Sequence, residues 1–515
     1  MKPIRLISGF LTVGFWTLAS RVLGFVREIL ILAYIGPGPV MDAFVAAFRL
    51  PNMFRRFFAE GAFNAAFVPM FSKKYEGGED ATGFARDALN GLALVVLALT
   101  ALAMLFMPAF VWATAEGFSG DARFDLTVGY GRILFPYILF MSLAALFSGV
   151  LNATGHFAAA AAAPVLLNIF VVLAMVMANL LGQQVIDWLL WSIPLAGVAQ
   201  LALVWRAAGR AGIRLRPGRP RWTPDMRAML VIALPAALSS GVLQINLLVG
   251  QLVASGTENA LSWLYAADRL YQLPLGVVGI AIGIVLLPSL SRSLKAGDHS
   301  AAQSALSRAG EAALALTLPA AVALVVIPVP LVMVLFERGQ TGPSDTQAIA
   351  LAVMIYGAGL PAFVLQKVLQ PLYFAREDTR TPLRYAVVSM VVNAAVAIGL
   401  AFYIGWLASA VATTLAAWVQ VALLAAGRRP MGETARFDAR FTQKLWRIIA
   451  AAGLSGGVMW AAMQLLAPFL AMPTWRYGAL AVLITVGIMG YFALAQALGA
   501  LSLGDLRASL RRRRG

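Results

Sequence analysis

Apolar runs long enough to cross a bilayer follow one another along the chain. They lie at 8–35, 40–66, 87–111, 128–150, 160–182, 189–208, 228–252, 262–289, 309–335, 347–370, 385–403, 408–427, 447–467 and 476–499. A helical crossing needs about 20 such residues. Backbone inside hydrocarbon must satisfy its own hydrogen bonds, which leaves helices or closed barrels. Barrel strands would be about half as long and alternate in polarity, and these runs do not. The expectation is an all-α, polytopic integral membrane protein of about 14 transmembrane helices. Composition agrees: 61% of residues are hydrophobic and 12% charged, where a soluble domain carries about one quarter charged residues.

The loops orient the chain. One alternate set holds Lys2 and Arg5, Lys73, Lys74 and Arg86, the arginines of 206–227, Arg292, Lys295 and Arg308, Arg376, Arg380 and Arg384, the basic residues of 428–447, and Arg507 with Arg511 to Arg514. In the opposite set Arg123, Arg338 and Arg476 are the main exceptions. This asymmetry predicts both termini in the cytoplasm. It also accounts for the net charge of +17 without nucleic acid. Lys2 and Arg5 precede an apolar run as in a signal peptide, but no clean cleavage site follows, so the run reads as a retained span.

Several chemistries are excluded. With no cysteine there is no disulfide framework, thiol nucleophile or cysteine metal site. His156 and His299, the only histidines, form no metallohydrolase pattern, and no Walker-type P-loop is present. The chain reads as a non-enzyme without a covalent cofactor; a metal site is left undetermined.

The basic segment RAAGRAGIRLRPGRPRWTPDMR at 206–227 follows the sixth run and reads as the joint between two six-span bundles. The plan is an N-lobe at 1–208, a linker at 209–227, a C-lobe at 228–427, a basic loop at 428–446, two further spans at 447–499 and a basic tail at 500–515. A short repeat supports duplication: Arg49-Leu50 precedes PMFSKK at Pro69, and Arg269-Leu270 precedes PSLSRS at Pro288. Such repeats are usual in secondary transporters, with the site at the repeat interface.

Charge within the apolar runs marks the candidate site. Arg21, Arg27, Arg49, Arg55 and Arg56 crowd the first two runs, with Glu28, Asp42 and Glu60 among them. An arginine at hydrocarbon depth costs about 2.5 kcal/mol or more and is usually turned inward for function. A bend near Gly24 would bring Arg21 and Arg27 to one cavity, while Arg27 and its neighbour Glu28 face differently. Asp42 and Arg49, nearly two turns apart, share a face, with Asp42 expected to face the cavity. Pro51 and Pro274 predict local breaks, and Asp268 and Arg269 open the corresponding stretch of the second half. Gln244, Asn246 and Gln251 form a polar stripe that either binds an inner substrate or joins helices. Arginine-rich and poor in unpaired acid, such a site suits phosphate or pyrophosphate.

The stretches SRVLGFVRE, DAFVAAFRLPNMFRRFFAEGAFNAAFVP and YAADRLYQLPLGVVGIAIGIVLLPSLS resemble the MurJ/MviN family of bacterial lipid II flippases, within the multidrug/oligosaccharidyl-lipid/polysaccharide exporter superfamily. The resemblance covers essentially the whole chain. It implies two pseudo-symmetric six-helix lobes around a cationic cavity, and two C-terminal helices forming a groove for a lipid tail. The cargo implied is lipid II, undecaprenyl-pyrophosphate-linked disaccharide-pentapeptide, moved from the cytoplasmic to the periplasmic leaflet of the inner membrane for peptidoglycan synthesis. Family motifs place essential arginines at Arg21, Arg27, Arg55 and Arg269 and an important acid at Asp42; Arg56, Glu60 and Asp268 match further motif positions. Three positions depart from the common pattern: Glu28 stands where Asp is frequent, Arg49 where Lys is frequent, and Gln272 where close relatives carry an acid to pair with Arg269. Alternating access, helped by membrane potential and a coupled ion, is the expected mechanism. Anionic phospholipids and cell-wall synthesis proteins are expected partners. Two other readings fit the residues: an exporter of another polyprenyl-linked glycan, and a non-transporting scaffold.

Overall fold

The computed structural model of the chain describes residues 3–55 and 62–501. Every regular element among them is helical. They are α1 (Pro3–Tyr34), α2 (Pro39–Arg55), α3 (Ala62–Glu76), α4 (Ala81–Leu105), α5 (Met107–Thr114), α6 (Ala122–Leu134), α7 (Tyr137–Ala153), α8 (Phe157–Leu180) and α9 (Val185–Arg210). There follow α10 (Pro224–Ser255), α11 (Ala260–Lys295), α12 (His299–Val326), α13 (Pro328–Phe336), α14 (Pro343–Phe374), α15 (Arg380–Ile404), α16 (Leu407–Gly427), α17 (Ala439–Ala471) and α18 (Arg476–Ala497). Among the described residues, ten helical segments are long and apolar enough to cross a membrane. The runs expected at 8–35, 40–66, 228–252 and 262–289 are not among those ten. α1, α10 and α11 nevertheless extend through three of them as long helices.

Some helices begin where a side chain supplies an acceptor for otherwise unpaired backbone N–H groups. The Asp80 carboxylate accepts from Gly83 N at 2.7 Å to open α4, and that of Asp298 accepts from Ala301 N at 2.8 Å to open α12. Three expected runs are divided, at α4/α5, α6/α7 and α12/α13. Pro108 lies in the first turn of α5 and Pro328 opens α13, where proline's missing N–H is tolerated. The first half thus repeats in the second: an aspartate-capped helix followed by a short proline-led one.

Pro51 and Pro274, expected to interrupt the hydrogen-bond ladder locally, leave their helices, α2 and α11 respectively, continuous. Proline removes one ladder hydrogen bond, and Pro51 is itself buried, so protein rather than solvent surrounds the interruption.

The chain divides into two compact units, residues 1–262 with 338–341, and residues 263–337 with 342–515. In the first unit α8 packs between α1 and α9, and α10 lies on α3. Phe63, Phe67, Phe71 and Phe84 form a stacked ladder in its core, with neighbouring centroids 5.2–5.7 Å apart. Gly117, in the turn after α5, lies so close to the end of α10 that an added Cβ would fall 2.4 Å from Gly256 N. In the second unit α12 packs on α14 and α17, and α17 pairs with α18. Phe437 and Phe441 stack at 3.9 Å across from Gly310.

Gly117→Ala tests the close approach at α10. We expect it to force the backbones apart at a cost of ~1–3 kcal/mol, read as a lowered Tm of the detergent-solubilised protein.

Candidate functional site

Arg27 is the best-supported of the cations that the sequence singles out in the first unit. Its guanidinium pairs with the adjacent Glu28 carboxylate and donates through Nη1 to Asn168 Oδ1 at 3.0 Å. Asn168, on α8, donates from Nδ2 to the Ser20 carbonyl at 2.9 Å. One buried amide therefore holds both the Ser20 turn of α1 and the arginine two turns later. A Cβ at Gly24 would lie 3.6 Å from Asn168 Nδ2, an ordinary contact distance, and α1 runs past it as a continuous helix. Arg27 and Glu28, expected to face apart, are brought together by their long side chains. Arg21 is exposed and makes no ion pair among the described residues, so within this unit it is not gathered onto Arg27.

Asp42 does not face a cavity. It has 0% exposure, and its carboxylate accepts from Ser262 N at 2.9 Å, Ser262 Oγ at 2.6 Å and Asn259 N at 2.8 Å. These donors lie at the head of α11, where backbone N–H groups have no helical partner. Arg123 approaches from the start of α6, its Nη1 3.5 Å from Asp42 Oδ2 and 3.3 Å from the Thr257 carbonyl. The same guanidinium bonds Asp121 Oδ2 through Nε at 2.9 Å and Nη2 at 2.7 Å, and lies 4.4 Å from the Phe118 ring centre. Arg123 reads in the sequence only as an exception to loop charge; the preceding Asp121, an N-cap residue, was the available clue. Its hydrogen bonds hold the Asp121 carboxyl below the usual carboxylate range.

In the second unit Arg269 stands on α11 with its guanidinium carbon 4.5 Å from the Tyr265 ring centre and Nη2 3.8 Å from Asp268 Oδ2. Gln272, one turn on, donates to Asp268 Oδ2. The acid beside Arg269 is thus Asp268, and Gln272 orients it instead of supplying a second charge. Tyr271 packs against Tyr356 and Phe363 at 4.9 and 5.3 Å, which fixes this turn of α11 against α14.

Arg49 Nη1 reaches the Leu247 carbonyl of α10 at 3.4 Å, and Arg55 Nε reaches Asn52 Oδ1 at 3.3 Å within α2. Arg56 and Glu60 lie outside the described residues. In the polar stripe, Gln251 is completely buried and neither end of its amide finds a partner among the described residues. No group of three or more histidine or acidic side chains gathers as metal ligands would among the described residues.

The sequence matches the family described as lipid II flippase MurJ over residues 31–486. The chain belongs to that family. A probable lipid II flippase MurJ of Rhizobium tropici is 42% identical, over 99% of this chain and 98% of its own length. One from Rhizobium meliloti (strain 1021) is 44% identical over 99% and 97%. Among solved structures, a lipid II flippase MurJ in an inward closed conformation has TM-score 0.80 at 24% identity, covering 95% of this chain and 98% of that one. An inward-facing multidrug resistance MATE transporter of the MOP superfamily has TM-score 0.67 at 15% identity, over 81% and 95%. The fold is accordingly that of the MOP transporters, and membership places the chain among transporters instead of enzymes.

Asp121 supplies a pH test. Its folded pKa is depressed, so its contribution to stability is present above the unfolded value, about pH 4, and is lost as pH falls through the folded value. Asp121→Asn is expected to lower the Tm in neutral detergent solution, with the difference from wild type shrinking as the acid range is entered.

Proposed function

We propose that this chain flips lipid II from the cytoplasmic to the periplasmic leaflet by alternating access, without covalent chemistry, in peptidoglycan synthesis. The observation that carries this reading is the environment of Arg27. A cation on a membrane helix is held at one edge by a buried amide and at another by a carboxylate. A pyrophosphate can take the place of that carboxylate through bidentate contacts. Arg21, Arg27 and Arg55 from the first unit and Arg269 from the second form the proposed pyrophosphate clamp. Glu28 and Asp268 are its resting counter-ions, and Arg49, Arg56, Glu60 and Gln272 are supporting residues.

The full span count in this proposal is fourteen, in two six-helix lobes at 1–208 and 228–427 joined by the basic linker 209–227. After the loop 428–446, the helices of 447–499 hold the lipid tail, and the tail segment 500–515 is cytoplasmic, as are both termini. The charge asymmetry of the loops supports that orientation. Asp42 would keep α2 on the head of α11 in one state and release it when the lobes rock. Membrane potential assists, since each charge moved across 100 mV is worth about 2.3 kcal/mol, and a coupled ion completes the cycle. Anionic phospholipids and cell-wall synthesis proteins are the further partners in this reading.

The test is reconstitution with labelled lipid II and a leaflet-specific accessibility assay. Wild type is expected to translocate; Arg27→Ala and Arg269→Ala are each expected to lower the rate at least tenfold. Unchanged rates in both variants would remove the clamp, and an inactive wild type would remove the transport function. Asn168→Ala, which takes away Arg27's support but leaves the charge, is expected to fall between wild type and Arg27→Ala.

A further inference from the structure

The segment 211–223 between α9 and α10 reads in the sequence as a linker, yet it is pinned along its length to the first unit. Ile213 and Leu215 are 7% and 1% exposed and belong to the same core as Phe84, Ala88 and Met226. Gly218 N donates to Asn90 Oδ1 on α4 at 2.9 Å. Asp225, just beyond, pairs with Lys74 of α3 at 3.1 Å. Pro217 and Pro220 stiffen the part between these anchors by fixing φ. The segment is a strap.

Its outer side is cationic. Where Ile213 and Leu215 turn inward, Arg214 and Arg216 alternate outward, as in any extended chain, and Arg219 and Arg221 continue the row; all four are exposed. None makes an ion pair among the described residues. Residues 206–224 contain no acid, and Asp225, the first that follows, is taken up by Lys74. Trp222, beside Arg221, is 73% exposed. Tryptophan with arginine at the end of a membrane helix is the composition of the headgroup region, and a segment this short between two such helices stays close to the bilayer surface.

We propose that the outer side of the strap, Arg214, Arg216, Arg219 and Arg221 with Trp222, is a binding site for anionic phospholipid headgroups. This deepens the phospholipid-partner reading given above and rests on it. Fixing the cations before the lipid arrives lowers the ordering cost of binding, which distinguishes the strap from a loose basic tail. The indole seats at the interface while the guanidinium groups meet phosphate.

The experiment uses the full-length protein in detergent, titrated with phosphatidylglycerol or phosphatidylcholine and read by native mass spectrometry. Wild type is expected to retain phosphatidylglycerol in preference to phosphatidylcholine. Replacing Arg214, Arg216, Arg219 and Arg221 one after another by Gln should weaken phosphatidylglycerol retention about fivefold at each step, the change that ~1 kcal/mol per basic residue near an anionic surface converts to. The same four positions changed to Lys should keep most of the retention. Equal retention of the two lipids by wild type, or undiminished phosphatidylglycerol retention by the four-fold Gln variant, would overturn the proposal. So would a variant that keeps its lipid but loses a co-purifying protein, because the occupant would then be that protein. Lipid II translocation in phosphatidylcholine vesicles is measured in parallel. Loss of lipid retention with normal translocation supports the strap, whereas an inactive wild type that still selects phosphatidylglycerol counts against the transport reading alone.

Discussion

The carboxylate of Asp42 is the interaction on which the first unit's architecture most depends. It is wholly removed from solvent, and a buried charge persists only when paired and hydrogen-bonded. Its oxygens are filled by the backbone and side chain at the head of α11 and by the edge of Arg123. Asn259, in that turn, adopts a positive φ of 66°, a conformation asparagine tolerates better than most residues, and its N–H meets Asp42. One side chain on α2 thereby fixes where α11 begins. α11 in turn carries Asp268, Arg269 and Gln272. Breaking such a buried pair by removing one partner costs about 3–5 kcal/mol, which is ample to bias a helix end between two arrangements.

The second organising device is local and recurs. Aspartate caps open α4 and α12, and proline-led short helices, α5 and α13, follow each. These are the same kinds of residue in the same order on either side of the strap. They extend the short match between PMFSKK and PSLSRS to a sequence of shared structural devices. Both features arise from helix termini: four donors at a start need acceptors, and a ring without N–H costs no ladder bond there.

Much of this was legible in advance because it follows from bulk physics. Apolar runs specify membrane helices whatever their partners, and charge within those runs marks positions that need company. The company was not legible. Asn168 is one neutral residue in the run AAAAAAPVLLNIF, and nothing in its neighbourhood announces that it reaches Ser20 and Arg27 on another helix. Arg123 looked like an exception to loop charge, yet it is an internal tie. Asp42 and Arg49 do lie on one helix, but helical periodicity states which residues share a face, not what that face meets. The prolines follow a related rule: a lost ladder bond is local, whereas whether α2 and α11 stay helical through Pro51 and Pro274 is set by tertiary packing.

The arginines separate by how they are held. Arg123 is 7% exposed, bonded to Asp121 through two nitrogens, turned to two backbone carbonyls and set against Phe118; a ligand would have to dismantle that whole arrangement to claim it. Arg269 keeps 31% of its side chain exposed and meets Asp268 only at 3.8 Å, a separation at which an ion pair gains little in a wet site. In the proposed clamp, exchanging Asp268 for a doubly charged pyrophosphate would increase the attraction. Gln272 fits the same logic. An acid at that position would add a second resting counter-ion and a second competitor for the incoming anion. A neutral amide bonded to Asp268 keeps that carboxylate oriented without deepening the well from which the arginine must be drawn. By this criterion Arg123 belongs to the frame and Arg269 to the proposed clamp. Arg27 has both kinds of neighbour, the buried amide of Asn168 and the carboxylate of Glu28.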